Sequence, residues 1–350
     1  MPSDFLTSVK TMITLTGPLS MDRFMERAIQ HYYANKQPFG ADGDFITAPE
    51  ISQMFGQTIA MWLAEHWLSF NSPILSIVEL GPGRGVMLVD ILKACYRLPR
   101  FAEALQTVYL VEKSRALREV QRTQLLQHGF ISLVEQGRVI WIDDVEVINH
   151  EQNEAIFLLA NEFFDALPVK QYACENGKTY EVCVGLSDGK LARMLMEIGA
   201  QEPNELAIRE GQLLEISKEA EHCMAKLSYM MKRFSHYAGL VIDYGYIELP
   251  YTNTIQALLR HKQVDMLEHV GVADVTALVN FSALSMQLQG HDIAHRVCTQ
   301  REFLCRHHIQ ERAKILTQGG ADAELIKWQL ERLIALDQMG ELFKVLEIMG

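Results

Sequence analysis

The segment Ser76–Leu92 reads SIVELGPGRGVMLVDIL and carries three signals in succession. An apolar run at 77–80 leads into glycines at alternate positions, Gly81, Gly83 and Gly85, and an apolar-periodic run follows at once. This order predicts a buried strand, a glycine-rich turn and the first turns of a helix. Glycine allows the sharp turn and leaves room for a ligand where a Cβ atom would collide. Because the free N–H groups of the helix start favour negative charge, the segment predicts a nucleotide-type binding loop.

The spacing of the glycines narrows the class of ligand. In the dinucleotide fingerprint G-x-G-x-x-G the third glycine comes one residue later than Gly85 does, and no Lys-Ser/Thr pair follows as in a P-loop. Glu79 lies two residues before the first glycine, which makes the pattern E-x-G-x-G-x-G. This pattern resembles motif I of class I S-adenosylmethionine (SAM) methyltransferases, in which the loop wraps the methionine part of the cofactor. A tight turn without a ligand and an NAD-linked enzyme remain alternatives at this point.

The overall composition excludes several classes of partner. The chain has 350 residues, of which 49% are hydrophobic and 22% charged, as in an ordinary globular protein with one large domain or a domain with an insertion. Its net charge of −12 argues against a nucleic-acid partner, because phosphate contacts require a basic face. No apolar run reaches the length of a membrane span.

The cysteines and the N-terminus bear on compartment. Six cysteines are scattered without a C-x-x-C pair, which predicts buried thiols in a reducing compartment and neither a disulfide framework nor a metal site. The first residues, MPSDFLTSVK, lack a signal-peptide core and are not arginine-rich. We therefore expect a cytoplasmic protein of bacterial type without a targeting segment, or a mitochondrial matrix protein if it is eukaryotic and processed.

Strand and helix signals alternate over residues 71–167, which predicts an α/β fold with a doubly wound, mostly parallel, Rossmann-like sheet. The resemblance of the glycine pattern to motif I implies that this part of the chain binds SAM. Residues 238–350 are expected to complete this core with helical additions. Residues 1–70 are expected to be an N-terminal helical segment that includes a substrate-cleft loop. Within it, Thr47 and Glu50 have the spacing of a capping box, and an apolar helix should follow to about residue 70.

The pattern changes over residues 168–237. Alternating runs are separated there by the turn pairs Asn176-Gly177 and Asp188-Gly189, which are typical of antiparallel hairpins. A helix is expected to follow over about 218–237. We therefore interpret 168–237 as an inserted hairpin and helix segment that contributes to substrate binding.

Two acids follow the second and third predicted strands of the core. Ligands of an open α/β sheet bind beyond the carboxyl ends of its strands, so both acids are candidates for cofactor contacts. Glu112 ends the strand TVYLVE, where a carboxylate can accept hydrogen bonds from both ribose hydroxyls of an adenosine. Asp143 ends the strand VIWID, where a carboxylate can accept from the exocyclic amine of adenine.

A polar cluster follows the fourth strand, at Asn161, Glu162 and Asp165. Two acids and an amide beside an apolar strand end are costly unless they face a cleft or find partners. Transfer of a methyl group from SAM requires a nucleophile that is aligned with the S–CH3 bond and shielded from water. If the nucleophile is a guanidinium, paired carboxylates can orient it and take up its proton, which makes these residues the candidate catalytic group.

Several longer stretches, in order along nearly the whole chain, resemble the MidA-type family of SAM-dependent methyltransferases, which includes the mitochondrial complex I assembly factor that acts on an arginine of a core subunit. The matching stretches are GDFITAPEISQMFGQTIAMW (43–62), VELGPGRG (78–85), NEFFDALPVKQY (161–172), VIDYG (241–245), LLRHKQVDMLEHVGVADVTALVNFSAL (258–284) and MGELFKVLEIMG (339–350). These stretches are far more specific than the glycine pattern alone.

The resemblance implies that SAM is the cofactor, with S-adenosylhomocysteine as product, and that Glu79, the three glycines, Glu112 and Asp143 bind it. It also implies a protein-arginine substrate, on a respiratory complex I subunit. Asp44 and Phe45 would line the substrate cleft. Arg260 and His261 are assigned to the same cleft, where they could contact a phosphate or an acidic partner surface; a solvated surface pair is the alternative. The oligomeric state stays open, with a homodimer among the alternatives.

One departure from the family pattern concerns the substrate. The family's Trp-Arg-Glu-Arg segment corresponds here to residues 179–182, Thr-Tyr-Glu-Val, which keep only the glutamate. A SAM-binding assembly factor without turnover is therefore one alternative, and an NAD-linked enzyme using the same crevice is another.

Overall fold

The computed structural model describes residues 2–35, 47–149, 154–198 and 208–350. The chain forms two compact units, each built from separate segments. The first unit comprises Met1–Phe45, Asp165–His222 and Tyr246–Asn280, and the second comprises Ile46–Phe164, Cys223–Gly245 and Phe281–Gly350. None of the helices in the described ranges is both long and apolar enough to cross a membrane.

The helices, numbered in chain order, have the following bounds. They are α1 (Pro2–Thr16), α2 (Met21–Asn35), α3 (Ala48–Ile51), α4 (Gln53–Ser69), α5 (Val86–Cys95), α6 (Phe101–Ala104), α7 (Arg115–Gln127), α8 (Ile131–Glu135), α9 (Lys218–Met231), α10 (Phe281–Gly290), α11 (Gln300–Arg306), α12 (Ile309–Gln318), α13 (Ala323–Ile334) and α14 (Met339–Leu342).

The strands are numbered in the same way. They are β1 (Leu19–Ser20), β2 (Ile74–Leu80), β3 (Leu105–Val111), β4 (Val139–Ile142), β5 (Glu154–Asn161), β6 (Lys170–Glu175), β7 (Lys178–Ser187), β8 (Lys190–Glu197), β9 (Leu213–Ile216), β10 (His236–Tyr246), β11 (Gln256–Leu259), β12 (Lys262–Gln263), β13 (Asp274–Thr276), β14 (Val279–Asn280), β15 (Ala294–Thr299) and β16 (Phe343–Met349).

The second unit contains a sheet in the order β4-β3-β2-β5-β10-β16-β15. The pairs from β4 to β10 are parallel, whereas β16 runs antiparallel to both β10 and β15. The chain moves outward from β2 to β3 and β4 and then returns to β5 on the other side of β2. This arrangement confirms the predicted α/β fold with its doubly wound, mostly parallel sheet, and its switch point lies between β2 and β5.

The apolar runs explain why these strands occupy the centre of the sheet. In β2, the side chains of Leu75, Ile77 and Val78 are fully buried, and in β5 the side chains of residues 155–158 are too. Strands that are covered on both faces need continuous apolar sequence rather than alternation. The apolar runs at 77–80 and 155–160 therefore explain why β2 and β5 lie at the centre of the sheet. There the two strands are neighbours, and their carboxyl ends meet.

The first unit has an antiparallel sheet in the order β1-β7-β6-β9, with β8 on β7, and a second sheet in the order β12-β11-β13. The pairs Asn176-Gly177 and Asp188-Gly189 are the two-residue turns of the β6–β7 and β7–β8 hairpins, all with positive φ, as predicted. The apolar face of α1 and α2 shares one core with these strands, through residues such as Val9, Met25 and Val184.

Some local expectations are wrong. The helix expected after Thr47 is interrupted at Ser52, whose Oγ accepts from Met54 N and so begins α4 anew. Thr47 lies at the N-cap of α3 but makes no side-chain cap bond, so the capping box is absent. The strand β15 was not predicted, because its side chains are mostly half-exposed and its sequence lacks an apolar run.

The division into units also differs from the four expected segments. Residues 168–237 are split after His222, and the N-terminal helices belong to the same unit as the hairpins. The physical reason is the shared apolar core, which joins α1 and α2 to strands far along the chain.

Candidate functional site

The glycine loop connects β2 to α5 at the carboxyl edge of the sheet. Gly81, Gly83 and Gly85 all have positive φ (+56°, +54° and +80°), a conformation that residues with a side chain rarely adopt. At Gly81 an added Cβ atom would lie 2.9 Å from the ring of Phe163, which follows β5. The first glycine is therefore required by the protein's own aromatic side chain as well as by the turn.

Glu79 lies near the end of β2 and is 2% exposed. Burial raises the pKa of its carboxyl to about 8. Among the described residues, its Oε2 atom has no hydrogen-bond partner. A buried, unsatisfied carboxylate oxygen beneath a glycine loop suits a ligand that supplies a donor or a positive charge, as the amino acid part of SAM does.

Glu112 follows β3 and is held on both oxygens. Ser114 N donates to its Oε1 at 2.7 Å, and Gln121 Nε2 donates to its Oε2 at 3.3 Å. Burial raises the pKa of Glu112, while these hydrogen bonds and the nearby Arg118 oppose the increase. The carboxylate is thus oriented at the strand end where the sequence predicts a contact with the ribose.

Asp143 follows β4 and has a different environment. Its side chain is 78% exposed and pairs with Arg118, whose Nη2 lies 2.5 Å from Asp143 Oδ1. Arg118 Nε in turn donates to the backbone oxygen of Glu112 at 2.6 Å. Asp143 is therefore attached to the Glu112 segment, and its contact with adenine stays a prediction.

Gln121 belongs to this group of residues but was missed by the sequence analysis. It is fully buried in α7, on the same face as Leu117 and Leu125. Its Nε2 donates to Gly83 O at 2.7 Å, and its Oε1 accepts from Trp141 Nε1 at 2.8 Å. The sequence signal that could have identified Gln121 is an amide at a core position of an amphipathic helix, with a leucine four residues away on either side.

Asn161 and Glu162 lie at the end of β5, beside the glycine loop, because Leu80 of β2 pairs with Ala160 of β5. Glu162 has φ of +50°, a strained conformation for a residue with a side chain. Its Oε1 accepts from Ala48 N and from Asn161 Nδ2, both at 3.2 Å. The strain and the two donors fix the carboxylate at the switch point of the sheet.

Asp243 in β10 supports this segment and was not among the predicted site residues. It is fully buried, and its Oδ2 accepts from Phe164 N at 3.0 Å. It fixes the backbone that follows Glu162. The sequence signal was an acid inside the apolar run AGLVIDY, which has the same form as the run around Glu79.

Three further predicted residues, Asp165, Arg260 and His261, belong to the first unit. Asp165 is buried in the first unit, where its backbone oxygen accepts from Ala277 N at 3.0 Å. Arg260 and His261 are exposed and form the two-residue turn between β11 and β12, both with positive φ. Asp44 and Phe45, the two residues predicted for the substrate-cleft loop, lie outside the described residues. The described ranges contain no group of three or more His, Cys, Asp or Glu side chains that could hold a metal ion.

The chain matches a known protein family. Residues 58–297 match the model of a family described as "Putative S-adenosyl-L-methionine-dependent methyltransferase". The chain therefore belongs to this family of SAM-dependent methyltransferases, whose cofactor is SAM. The fold and the glycine loop at its switch point are those expected of such an enzyme.

Individual relatives cover nearly the whole chain. The chain is 31% identical, over 99% of its length and 86% of the relative's, to "Protein arginine methyltransferase NDUFAF7, mitochondrial" of Danio rerio. It is also 31% identical to the protein of that name from Rattus norvegicus, over 95% of this chain and 81% of the relative. A Burkholderia thailandensis structure bound to S-adenosyl-homocysteine has a TM-score of 0.86 and 24% identity over 100% of this chain and 92% of its own, and so shows the same fold.

Proposed function

We propose that the protein transfers the methyl group of SAM to a guanidino nitrogen of an arginine in a protein substrate. The observation that carries the proposal is the position of Glu162, which is held in a strained conformation beside the glycine loop. The relatives named above are protein arginine methyltransferases, which supports arginine as the acceptor.

The cofactor would be bound by the residues at the ends of β2, β3 and β4. Gly81, Gly83 and Gly85 would carry the methionine part, and the unsatisfied oxygen of Glu79 would accept from its ammonium group. Glu112 would accept from the ribose hydroxyls. Asp143 would reach the adenine amine. The relative from Burkholderia thailandensis, which shares the fold, was solved with S-adenosyl-homocysteine, and this supports the same ligand here.

The chemistry requires the protein to prepare a weak nucleophile, because bound SAM supplies a methyl group on a good leaving group. An arginine guanidinium has a pKa above about 12 and a delocalised lone pair. The carboxylate of Glu162 would orient the guanidinium through a charge-assisted hydrogen bond and accept the proton that the nitrogen loses. Asn161 donates to Glu162 and would keep its carboxylate in place. Asp165, the second predicted acid, stays a prediction from the sequence.

The partner would be a subunit of respiratory complex I, which rests on the resemblance to the MidA-type family. The relatives are named as mitochondrial proteins, and that location would apply to this chain if it comes from a eukaryote. The expected cytoplasmic location, the place of Arg260 and His261 in the substrate cleft, and a homodimer stay predictions.

The test compares Glu162→Gln with the wild type in methyl transfer from labelled SAM to arginine-containing peptides of complex I subunits. We expect label on the peptides but not on matched peptides with lysine in place of arginine. The variant should bind S-adenosylhomocysteine normally and transfer methyl on the order of 10²-fold more slowly. Glu119→Gln, at an exposed position of α7, is the control and should keep the wild-type rate. An unchanged rate in Glu162→Gln would remove Glu162 from the mechanism, and cofactor binding without any label would favour the non-catalytic assembly factor.

A further inference from the structure

Resting on the proposed function, we propose that Gln121 is a positioning residue that joins the glycine loop to Glu112 and thereby sets recognition of the ribose diol of the cofactor. Gln121 lies 38 residues beyond Gly83 in the sequence and nine beyond Glu112. Its one amide group contacts the loop, the carboxylate and the indole of Trp141 at the same time.

The chemistry of the three partners allows only one orientation of this amide. The indole N–H of Trp141 is solely a donor, so the oxygen of Gln121 must face it. The backbone oxygen of Gly83 is solely an acceptor, so the NH2 group must face the loop, and its second hydrogen is then directed at Glu112 Oε2. Both donors and one acceptor site of the side chain are used, and the conformation is unique.

The same contacts leave Glu112 prepared for a vicinal diol. Each carboxylate oxygen has two acceptor sites. Ser114 N donates to Oε1, Gln121 donates to Oε2, and the backbone N–H of Lys113 makes a further hydrogen bond to this carboxyl group. The acceptor sites that remain on the two oxygens can be used together by two neighbouring hydroxyls. If the Gln121 contact is lost, the carboxylate keeps only the backbone contacts from residues 113 and 114, and its plane can rotate about them.

Burial makes the contact strong enough to matter. Gln121 itself is fully buried and its partners are half-buried, so removing its amide leaves Gly83 O and Trp141 Nε1 without this partner. Glycines with positive φ offer little resistance to a shift of the loop, so the loop depends on contacts such as this one for its position. Gln121 would therefore keep the glycine loop and Glu112 in fixed positions relative to each other.

The experiment measures the affinities of S-adenosylhomocysteine and of its 2′-deoxyribose analogue by calorimetry. The wild type should prefer the parent ligand by about tenfold or more, because the analogue leaves one oxygen of Glu112 unmatched. In Gln121→Met, affinity for the parent should fall by about tenfold and the preference should fall to about threefold or less. Gln127→Met, at an exposed position of the same helix, should change neither value.

Gln121→Glu separates the donor role from the shape of the side chain. When it is ionised it keeps an acceptor for Trp141 but cannot donate to Gly83 or Glu112, so at a pH high enough to ionise it the variant should lose the preference as Gln121→Met does. Thermal unfolding of both variants checks that they are folded, and Gln121→Glu carries the test if Gln121→Met is not.

Each outcome has a distinct consequence. Equal loss of affinity for both ligands would mean that Gln121 only supports the fold, and unchanged affinities would remove it from the site; either result overturns this inference alone. If the wild type binds neither ligand, the proposed function fails and this inference fails with it.

Discussion

Two buried glutamates in the same sheet have opposite environments. Glu79 in β2 is 2% exposed, and Glu347 in β16 is 1% exposed. Glu347 accepts from Arg296 on both oxygens at 2.7 Å and from Arg306 at 2.5 Å, whereas Glu79 has no arginine or lysine partner among the described residues. Burial alone would raise both pKa values. At Glu347 the hydrogen bonds from the two arginines outweigh it and lower the pKa, and at Glu79 burial raises the pKa to about 8.

The difference shows how a structural acid can be told from a binding acid. A buried carboxylate that the chain itself neutralises has all its requirements met by the fold. A buried carboxylate without such a partner destabilises the protein when it is charged, unless a ligand completes the site. Glu79 lies under the glycine loop, whereas Glu347 lies in the antiparallel strand, away from the switch point. Position and pairing together support a structural role for Glu347 and the proposed cofactor contact for Glu79.

The largest effect should come from Glu79→Gln. The folded-state pKa of Glu79 lies above the ordinary value of 4.5, so its contribution to stability is present below that value and is lost as the pH rises through 8. The variant lacks this loss, so its stability relative to the wild type should increase by on the order of 4 kcal/mol between pH 4.5 and pH 9. Denaturant unfolding of ligand-free protein across this range measures it, and parallel pH profiles would contradict the comparison.

Glu347→Gln should give the opposite sign and a smaller effect. It leaves Arg296 and Arg306 beside a neutral amide, and both arginines are partly exposed, so water compensates for some of the loss. We expect the variant to be less stable than the wild type by about 2 kcal/mol at pH 7. Because the pKa of Glu347 is lowered, the deficit should shrink as the pH falls below the ordinary value of a glutamate. Binding of S-adenosylhomocysteine should not change; weakened binding would link Glu347 to the site.

The smallest effect is expected at the edge of the cluster formed by Glu347, Arg296, Arg306 and His307, in which His307 Nε2 lies 4.0 Å from Glu347 Oε2. Glu65 Oε2 lies 3.1 Å from Nδ1 of the buried His307, and its side chain is half-exposed. Burial lowers the pKa of His307 and so favours the neutral ring, whose contact with Glu65 is a hydrogen bond rather than an ion pair. Glu65→Gln should therefore change the free energy of unfolding by less than about 0.5 kcal/mol at pH 7. A loss as large as that of Glu347→Gln would show that the cluster acts as one network.

Much of the fold followed from local sequence. The strand-turn-helix signal around Gly81, the apolar run of β5 and the turn pairs of the hairpins were predicted, because each depends on residues close in sequence. The acids at Glu112 and Glu162 were predicted as site residues because the ends of parallel strands meet at one edge, and the structure places them at that edge in the second unit.

Other features depended on contacts between distant residues. The sequences around Glu79 and Glu347 are IVEL and VLEI, and they look alike. The difference arises because a neighbouring strand and a neighbouring helix supply arginines to Glu347. The division into units likewise follows a core that joins α1 and α2 to hairpins far along the chain.

The sequence by itself determined the class of fold, the glycine loop that is proposed to bind the cofactor, and the acids that follow β3, β4 and β5, because periodicity, glycine spacing and the position of a residue along its strand are local properties. Only the tertiary structure decided which acids are neutralised, that Gln121 joins the glycine loop to Glu112, and that Phe163 packs on Gly81. The physical reason is that burial and hydrogen bonding are properties of the packed neighbourhood, and most of that neighbourhood comes from other strands and helices.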